Sequence, residues 1–187
     1  VQEMGNYHLL GETRDDAAGE AFDKGARILG LGYPGGPEIE KAGKGGDPTT
    51  IEFPRSLLGN NNLEFSFSGL KTSLLYFMDD FQATKNISKK DVIASYQQAI
   101  IDVLVTKVKR AMKMKGVNTC VIAGGVAANK CLRKTLEMDM GDQRIIFPDL
   151  SYCTDNGAMI SYLGEKKLKF KGYNSLSFGA LPNLKLS

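Results

Sequence analysis

Residues 119–129 read TCVIAGGVAAN, and they are the most informative part of the chain. The β-branched and apolar residues at 119–123 predict a buried strand, and Gly124 and Gly125 lead from it into a helix predicted at about 128–140. Glycines in such a turn let a ligand approach the backbone, where free amides and the positive end of the helix favour an anion such as a nucleotide phosphate. A tight turn that needs glycine only for packing explains the same residues equally well.

The residues that follow repeat the alternation of strand and helix. A second short strand is predicted at 144–147, and a helix capped by Thr154 follows it. This order indicates an α/β unit with parallel strands, whose ligands bind at the carboxyl ends of the strands. Asn129 could project its side-chain amide toward such a ligand. Asp155, predicted in the first turn of the second helix, could bind a metal ion, and an acid that complements the helix dipole is the alternative.

The middle of the chain predicts long helices and one irregular region. A helix capped by Ser88 is predicted to run to about Lys115 and to end at Gly116. Gly, Pro and polar residues dominate the region before these helices and predict a loop-rich excursion. The predicted organisation of residues 1–187 is a loop-rich excursion at 38–64, a mainly helical part at 65–116, an α/β nucleotide-binding unit at 117–170 and a tail at 171–187.

An acidic helix near the amino terminus is a second candidate binding surface. Asp16, Glu20 and Asp23 are spaced at i, i+4 and i+7 and therefore share one helix face. Carboxylates grouped in this way repel unless water, a cation or ligand hydroxyls lie between them. A ribose diol suits one of them, and a solvated acidic face is the alternative. Asp15 or Asp16 is predicted to cap the helix, and YPGGP at 33–37 predicts a tight, exposed turn after it.

Composition narrows the class of protein without naming a function. The 187 residues can form one ordinary domain or two small ones, and the 42% hydrophobic and 24% charged residues are typical of a globular protein. No apolar run approaches the roughly 18 residues of a membrane helix, so no membrane partner is expected. Cys120, Cys131 and Cys153 form no disulfide or zinc motif, so we expect core thiols and a cytoplasmic location.

The net charge of +3 neither requires nor excludes a nucleic-acid partner. Some basic residues are grouped on predicted helices, where a solvated face is a commoner explanation than phosphate contact. The two groups are Lys107, Lys109, Arg110, Lys113 and Lys115, and Lys166, Lys167, Lys169 and Lys171.

Taken together, the motifs closely resemble the TsaD family, in the family's order and over nearly the whole chain. They are LLGET at 9–13, DDAAGEAFDK at 15–24, YPGGP at 33–37, FSFSGLKT at 65–72, the turn at 123–129 and CTDNGAM at 153–159. The resemblance implies an α/β protein of the actin-like, sugar-kinase-like ATPase fold, in which two lobes enclose a nucleotide. This chain resembles the second, carboxyl-terminal lobe, a mixed sheet flanked by helices.

The resemblance also implies a reaction and its participants. The threonylcarbamoyl group would move from threonylcarbamoyl-adenylate to the exocyclic amine of the adenosine beside a tRNA anticodon. An ATP-type nucleotide is thus a substrate, and an iron or zinc ion is the implied cofactor. Partners would be tRNA, a TsaB-like paralogue, a TsaE-like ATPase and a TsaC-like adenylate synthase. By motif, the nucleotide part would be held by Asp23, Gly36 and Asn129, with Gly124 and Gly125 lining the turn, and one metal ligand would be Asp155.

Departures from the family pattern limit these expectations. The family's H-x-x-x-H helix and Ser-Gly-Gly-His-Thr loop have no match here, and His8 is the only histidine. We therefore expect the isolated chain to be inactive because the metal-binding first half is missing, and an open sheet edge to favour self-association. The alternatives are a metal-dependent glycoprotease, for which no H-E-x-x-H or nucleophile with a base is found, a sugar kinase, and a non-catalytic nucleotide-binding or docking lobe.

Overall fold

The computed structural model describes residues 1, 3, 5–59, 62–81, 86–173, 175, 177 and 179. It is a helix-rich α/β structure with a small parallel sheet. The elements are α1 (Ala18–Ile28), α2 (Gly35–Ala42), α3 (Ser68–Asp79), α4 (Lys89–Lys115), β1 (Thr119–Val121), a 3-10 turn (Gly125–Ala128), α5 (Lys130–Asp139), β2 (Arg144–Ile146), a 3-10 turn (Leu150–Tyr152) and α6 (Gly157–Lys171). Most of the tail predicted at 171–187 lies outside the described residues. None of the described helices is long and apolar enough to cross a membrane.

Helix α4 organises the core because it packs against both halves of the structure. Its first half joins α1 and α3 in one apolar cluster, and its second half joins α5 in another. Tyr96 is fully buried in the first cluster, and its hydroxyl donates to the carbonyl of Ala21 on α1, 2.8 Å away. Gly25 allows this contact, since a Cβ there would lie 2.3 Å from the Tyr96 ring. A glycine at position 25 therefore sets how closely α1 approaches α4.

The sheet consists of β1 and β2, which pair in parallel with Cys120 opposite Ile145. The amide of Ile122 also donates to the carbonyl of Ile146 at 2.9 Å, so pairing extends one residue beyond β1. The parallel α/β unit is thus confirmed. The expected mixed sheet is not found in the described part of the chain, where only two isolated bridges, Glu3 with Asn6 and Thr13 with Phe65, lie outside these strands.

Helix α2 corrects two expectations. The tight turn predicted at 33–37 instead leads directly into a helix from Gly35, and the loop-rich excursion predicted from residue 38 begins inside that helix. Pro37 is tolerated because amides in the first turn of a helix have no partner along the helix. The Cβ missing at Gly35 would lie 2.5 Å from the Cα of Asp23, so α2 begins in close contact with α1.

The helix caps are partly as predicted. Ser88 accepts from the amide of Asp91, and Gly116 ends α4 with a φ of 61°. At α1, however, Ala17 is the N-cap residue and no side chain caps it. Asp15 instead accepts from the amides of Phe67 and Ser68 at the start of α3, so it caps a helix distant in sequence.

The start of α6 is also displaced from the prediction. The cap is Asn156, which accepts from the amide of Met159 at 2.9 Å, rather than Thr154. Asp155 therefore precedes the helix and does not lie in its first turn. A 3-10 turn at Leu150–Tyr152 precedes this cap.

Two basic residues of α4 have a structural role that the sequence did not indicate. Lys107 is only 2% exposed, and its ammonium group donates to the carbonyls of Leu57 and Asn62 and to the Asn62 side chain at 2.7–3.0 Å. Arg110 donates to the carbonyls of Leu58 and Asn62. Burial, and secondarily the charge of Arg110, lower the pKa of Lys107. These cations hold the irregular segment before α3 and are not a solvated face.

Candidate functional site

A cavity of about 420 Å³ lies between α1, α2 and the 3-10 turn that follows β1. This volume is in the range of small-molecule sites. Its walls combine apolar side chains and exposed backbone with a few polar groups. The lining residues are Gly19, Phe22, Asp23, Pro34, Gly36, Pro37, Glu40, Gly125, Val126, Ala128, Asn129 and Thr154.

Asp23 occupies one wall and is fixed by its neighbour. One of its carboxylate oxygens, Oδ1, accepts from the amide of Gly35 at 2.7 Å. The other oxygen has no hydrogen-bond partner among the described residues. Because Gly35 cannot carry a Cβ without striking the Asp23 backbone, carboxylate and helix start are held together as one unit.

The start of α2 supplies backbone to the same wall. Gly36 lies in the first turn of the helix, where amides have no partner along the helix. No atom lies within 4 Å of the Cβ that Gly36 lacks, so this side of the backbone is open. The wall can therefore offer an amide donor at the positive end of a helix.

Asn129 lies opposite and is engaged inside the protein. It is 6% exposed, its Oδ1 accepts from the amide of Leu132 at 2.9 Å, and its Nδ2 donates to Oε1 of Gln97 at 3.0 Å. Asn129 is the N-cap of α5, which begins at Lys130, two residues after the predicted start at about 128. One N–H of its amide remains for a ligand, and the two internal bonds fix the orientation of that group.

The glycine turn divides between two cavities. Gly124 has a φ of 91°, which L-residues with side chains rarely adopt. Gly125 lines the cavity described above, whereas both glycines line a neighbouring cavity of about 270 Å³. No atom lies within 4 Å of the Cβ position of either residue. Packing therefore does not require glycine at either position. At Gly124, however, the positive φ angle favours glycine.

The carboxylates of Asp16, just before α1, and of Glu20, on α1, are both paired with Lys24. The ammonium group of Lys24 lies 2.6 Å from Asp16 and 2.8 Å from Glu20, and hydrogen bonds to these two carboxylates raise the pKa of Lys24. The second oxygen of Asp16 is buried without a hydrogen-bond partner in the described structure. Asp16 lies before α1 begins, so the prediction that all three acids share one face of this helix is wrong. Of Asp16, Glu20 and Asp23, only Asp23 lines the cavity.

Asp155 lies beside the cavity but does not line it. The side chain is exposed, and its neighbour Thr154 is the lining residue. The described ranges contain no group of three or more His, Cys, Asp or Glu residues that could hold a metal ion. The described residues therefore do not fit a complete iron or zinc site, and Asp155 as a single ligand stays a prediction.

Glu40 is a lining residue that the sequence reasoning missed. It lies one turn after Gly36 on α2, and its Oε1 accepts from the amide of Lys130 at 3.0 Å. A helix prediction at 35–42 would have placed both residues on one face. The turn-like sequence YPGGP concealed that helix.

The comparisons with known proteins agree with the motifs. The family model described as "TsaD: tRNA N6-adenosine threonylcarbamoyltransferase" matches residues 1–162. A protein of Thermosipho africanus named tRNA N6-adenosine threonylcarbamoyltransferase is 49% identical over 100% of this chain and 57% of its own length. Proteins of the same name from Clostridium kluyveri and Thermosipho melanesiensis are 45% and 51% identical, over 100% and 95% of this chain and 56% and 54% of their own lengths. The chain thus spans little more than half the length of these curated relatives.

Proposed function

Because the chain belongs to the TsaD family, we propose that its cavity of about 420 Å³ holds the nucleotide part of threonylcarbamoyl-adenylate. We propose further that the chain forms the carboxyl-terminal lobe of an actin-like enzyme that modifies tRNA in the cytoplasm. The observation that carries the proposal is the convergence of Asp23, Gly36 and Asn129 on one cavity from separate elements.

The geometry supports a role for each of these residues. The free oxygen of Asp23 accepts a hydrogen bond from a ribose hydroxyl, because its other oxygen is fixed by Gly35. The open backbone at Gly36 donates to a sugar or phosphate oxygen at the positive helix end. Asn129 donates its remaining amide hydrogen, and Val126 provides apolar surface for the base.

The proposed transfer makes one bond and breaks one. The exocyclic nitrogen of the tRNA adenosine bonds to the carbonyl carbon of the threonylcarbamoyl group, and the bond from that carbon to the phosphate oxygen breaks. AMP leaves with the bonding electrons, and the nitrogen loses a proton. The residues of this chain bind and orient the leaving nucleotide, and orientation of reactants contributes much of the rate in such reactions.

Metal and partners complete the proposal. We propose Asp155 as a single ligand of the iron or zinc ion, although the described residues do not fit a complete site. A TsaB-like paralogue, a TsaE-like ATPase and a TsaC-like adenylate synthase are the proposed protein partners.

Nucleotide binding by the purified chain tests the proposal. Isothermal titration with AMP should show saturable binding, and Asp23→Asn should weaken it by about 10- to 100-fold, since one charged acceptor is lost. Asn retains the oxygen that accepts from Gly35, so the helix start is preserved. Asp79→Asn, an exposed residue at the end of α3, is the matched control and should bind AMP as the original chain does. The proposal is wrong if AMP does not bind or if both variants bind equally well.

A further inference from the structure

A second, larger concavity of about 700 Å³ adjoins the nucleotide cavity. It is formed by the end of α2, the segment at 43–48, one side of α4 and the start of α5; we call it the basic groove. The basic groove and the nucleotide cavity share Pro37 and Glu40 as lining residues. A ligand lying in the basic groove therefore passes directly beside the proposed adenylate.

The charge of the basic groove is strongly one-sided. Lys41 and Lys44 line it from α2 and the following segment, and Lys130 and Lys134 line it from α5. All four are exposed, and none forms an ion pair with another described residue. The acid that lines the groove is Glu40, whose carboxylate already accepts from the amide of Lys130.

The spacing of Lys130 and Lys134 is unfavourable unless an anion is present. Lys130 and Lys134 lie at i and i+4 on α5, whereas Lys41 lies on α2 and Lys44 lies in the segment that follows it. Like charges at i and i+4 of one helix face each other and repel, as the charges of Lys130 and Lys134 do. Two lysines of α4 are engaged, in contrast: Lys107 donates to backbone carbonyls, and Lys109 pairs with Asp139 at 2.8 Å.

The wall of the basic groove is preformed. A Cβ at Gly46 would lie 2.4 Å from the carbonyl oxygen of Lys90, and one at Gly43 would lie 3.0 Å from the Ile93 side chain. The amide of Asp47 donates to Asp91 at 2.8 Å. This segment is therefore packed tightly on α4, and the charged side chains project from a fixed backbone.

We propose that the basic groove binds the ribose-phosphate backbone of RNA next to the reacting base. A line of unpaired cations on a fixed wall suits phosphates, which position a nucleic acid without reading its sequence. The inference rests on the proposed function, since it places RNA beside the adenylate cavity. It assigns the contact to Lys41, Lys44, Lys130 and Lys134, and not to the basic residues of α4.

The test is the salt dependence of RNA binding by the full chain. Fluorescence anisotropy with a synthetic anticodon stem-loop RNA should give a logarithmic slope against salt that falls by about 1 to 2 in K130A/K134A, because each lost phosphate contact removes about 0.7–0.9. The dissociation constant at low salt should rise about tenfold. K113A/K115A removes the same charge from exposed positions at the end of α4 and should change neither quantity.

The other outcomes overturn the inference. Absence of RNA binding, equal effects of the two double variants, or no effect of either would each show that the basic groove is not an RNA site. Titrations with AMP and ATP separate RNA from a nucleotide's own phosphates. If K130A/K134A weakens ATP binding but not AMP binding, the groove holds the nucleotide triphosphate and the inference is wrong. If neither nucleotide binds while the RNA titrations give the expected result, the proposed nucleotide site is wrong and the assignment of RNA to the basic groove is supported.

Discussion

Helices α4 and α6 begin and end with similar local signals, yet their surroundings differ completely. Each has a side-chain cap at its start, Ser88 for α4 and Asn156 for α6, and each has lysines in its last turn. Helix α4 buries residues along most of its 27-residue length, whereas no residue of α6 is buried. On α6, Ile160, Tyr162 and Phe170 are 61%, 62% and 74% exposed.

The difference shows what caps and packing each contribute. Caps and lysines mark where a helix starts and stops, and they are readable in the sequence. Most helical stability in proteins comes from the packing of an apolar face, which α4 has and α6 lacks within the described structure. We therefore expect substitutions in α4 to change global stability and those in α6 to act locally.

The largest expected effect is at Tyr96. Tyr96→Ala should lower the free energy of unfolding by about 3–5 kcal/mol, because it removes a fully buried ring at the contact with α1. Urea titration followed by circular dichroism measures it. Tyr96→Phe keeps the ring and should cost about 1 kcal/mol for the lost bond to Ala21. Tyr162→Ala on α6 should stay within about 0.5 kcal/mol of the original chain. Equal losses at positions 96 and 162 would remove the contrast between the helices.

A smaller loss is expected when the buried cation of α4 is replaced. Lys107→Met leaves the carbonyls of Leu57 and Asn62 without this donor and should cost about 1–3 kcal/mol in the same titration. Lys113→Met, at an exposed position of the same helix, is the matched control and should be nearly neutral. A neutral Lys107→Met would mean that Arg110 alone holds the segment.

Helix α3 is expected to show an effect between those of α4 and α6, because the carboxylate of Asp15, distant in sequence, fixes its start. Burial raises the pKa of Asp15, but hydrogen bonds from Ser66, Phe67 and Ser68 outweigh it and hold the pKa well below 3.8. The ionised Asp15 therefore stabilises the folded state above about pH 4, and this contribution to the free energy of unfolding is lost as the pH falls below that value. Asp15→Asn should cost about 1 kcal/mol at neutral pH and should make unfolding less sensitive to pH between about 2 and 4. Asp79→Asn should leave the pH profile as it is, and a similar change in both variants would exclude this role.

The smallest effect is expected at the cap of α6. Asn156→Ala removes the acceptor for the amide of Met159 and should speed amide hydrogen exchange across α6 while the urea midpoint stays unchanged. Ser88→Ala removes the equivalent cap of α4 and should lower global stability by about 1 kcal/mol. A shifted midpoint in Asn156→Ala would show that α6 belongs to the cooperative core.

The sequence predicted elements whose signals are local. The strand–glycine–helix unit around β1 and the limits of α4 were recovered because periodicity, caps and glycines lie within the elements themselves. The family recognised from the motifs was confirmed. Of the residues assigned to nucleotide binding, Asp23, Gly36, Gly125 and Asn129 line one cavity. Their binding roles stay predictions.

Features that depend on distant contacts were not predictable. Helix α2 begins within the turn-like sequence at 33–37, and its close contact with α1 favours helix over loop. Asp15 caps α3 instead of α1, because the segment before α1 runs beside the start of α3. Lys107 was grouped with solvated lysines, and only the path of the segment before α3 shows why it is buried. Glu40 could be assigned to the cavity only after helix α2 was recognised in the structure.

The contact between Gly25 and Tyr96 should leave a trace in the evolution of the family. A methyl group at position 25 would lie 2.3 Å from the Tyr96 ring, so neither residue can be replaced freely while the other remains. We expect the two positions to covary, with alanine or serine at position 25 tolerated only beside a smaller residue at position 96. A library that varies positions 25 and 96 together, selected for folded protein, should contain compensated pairs of residues. Libraries that vary only one of the two positions should not contain them.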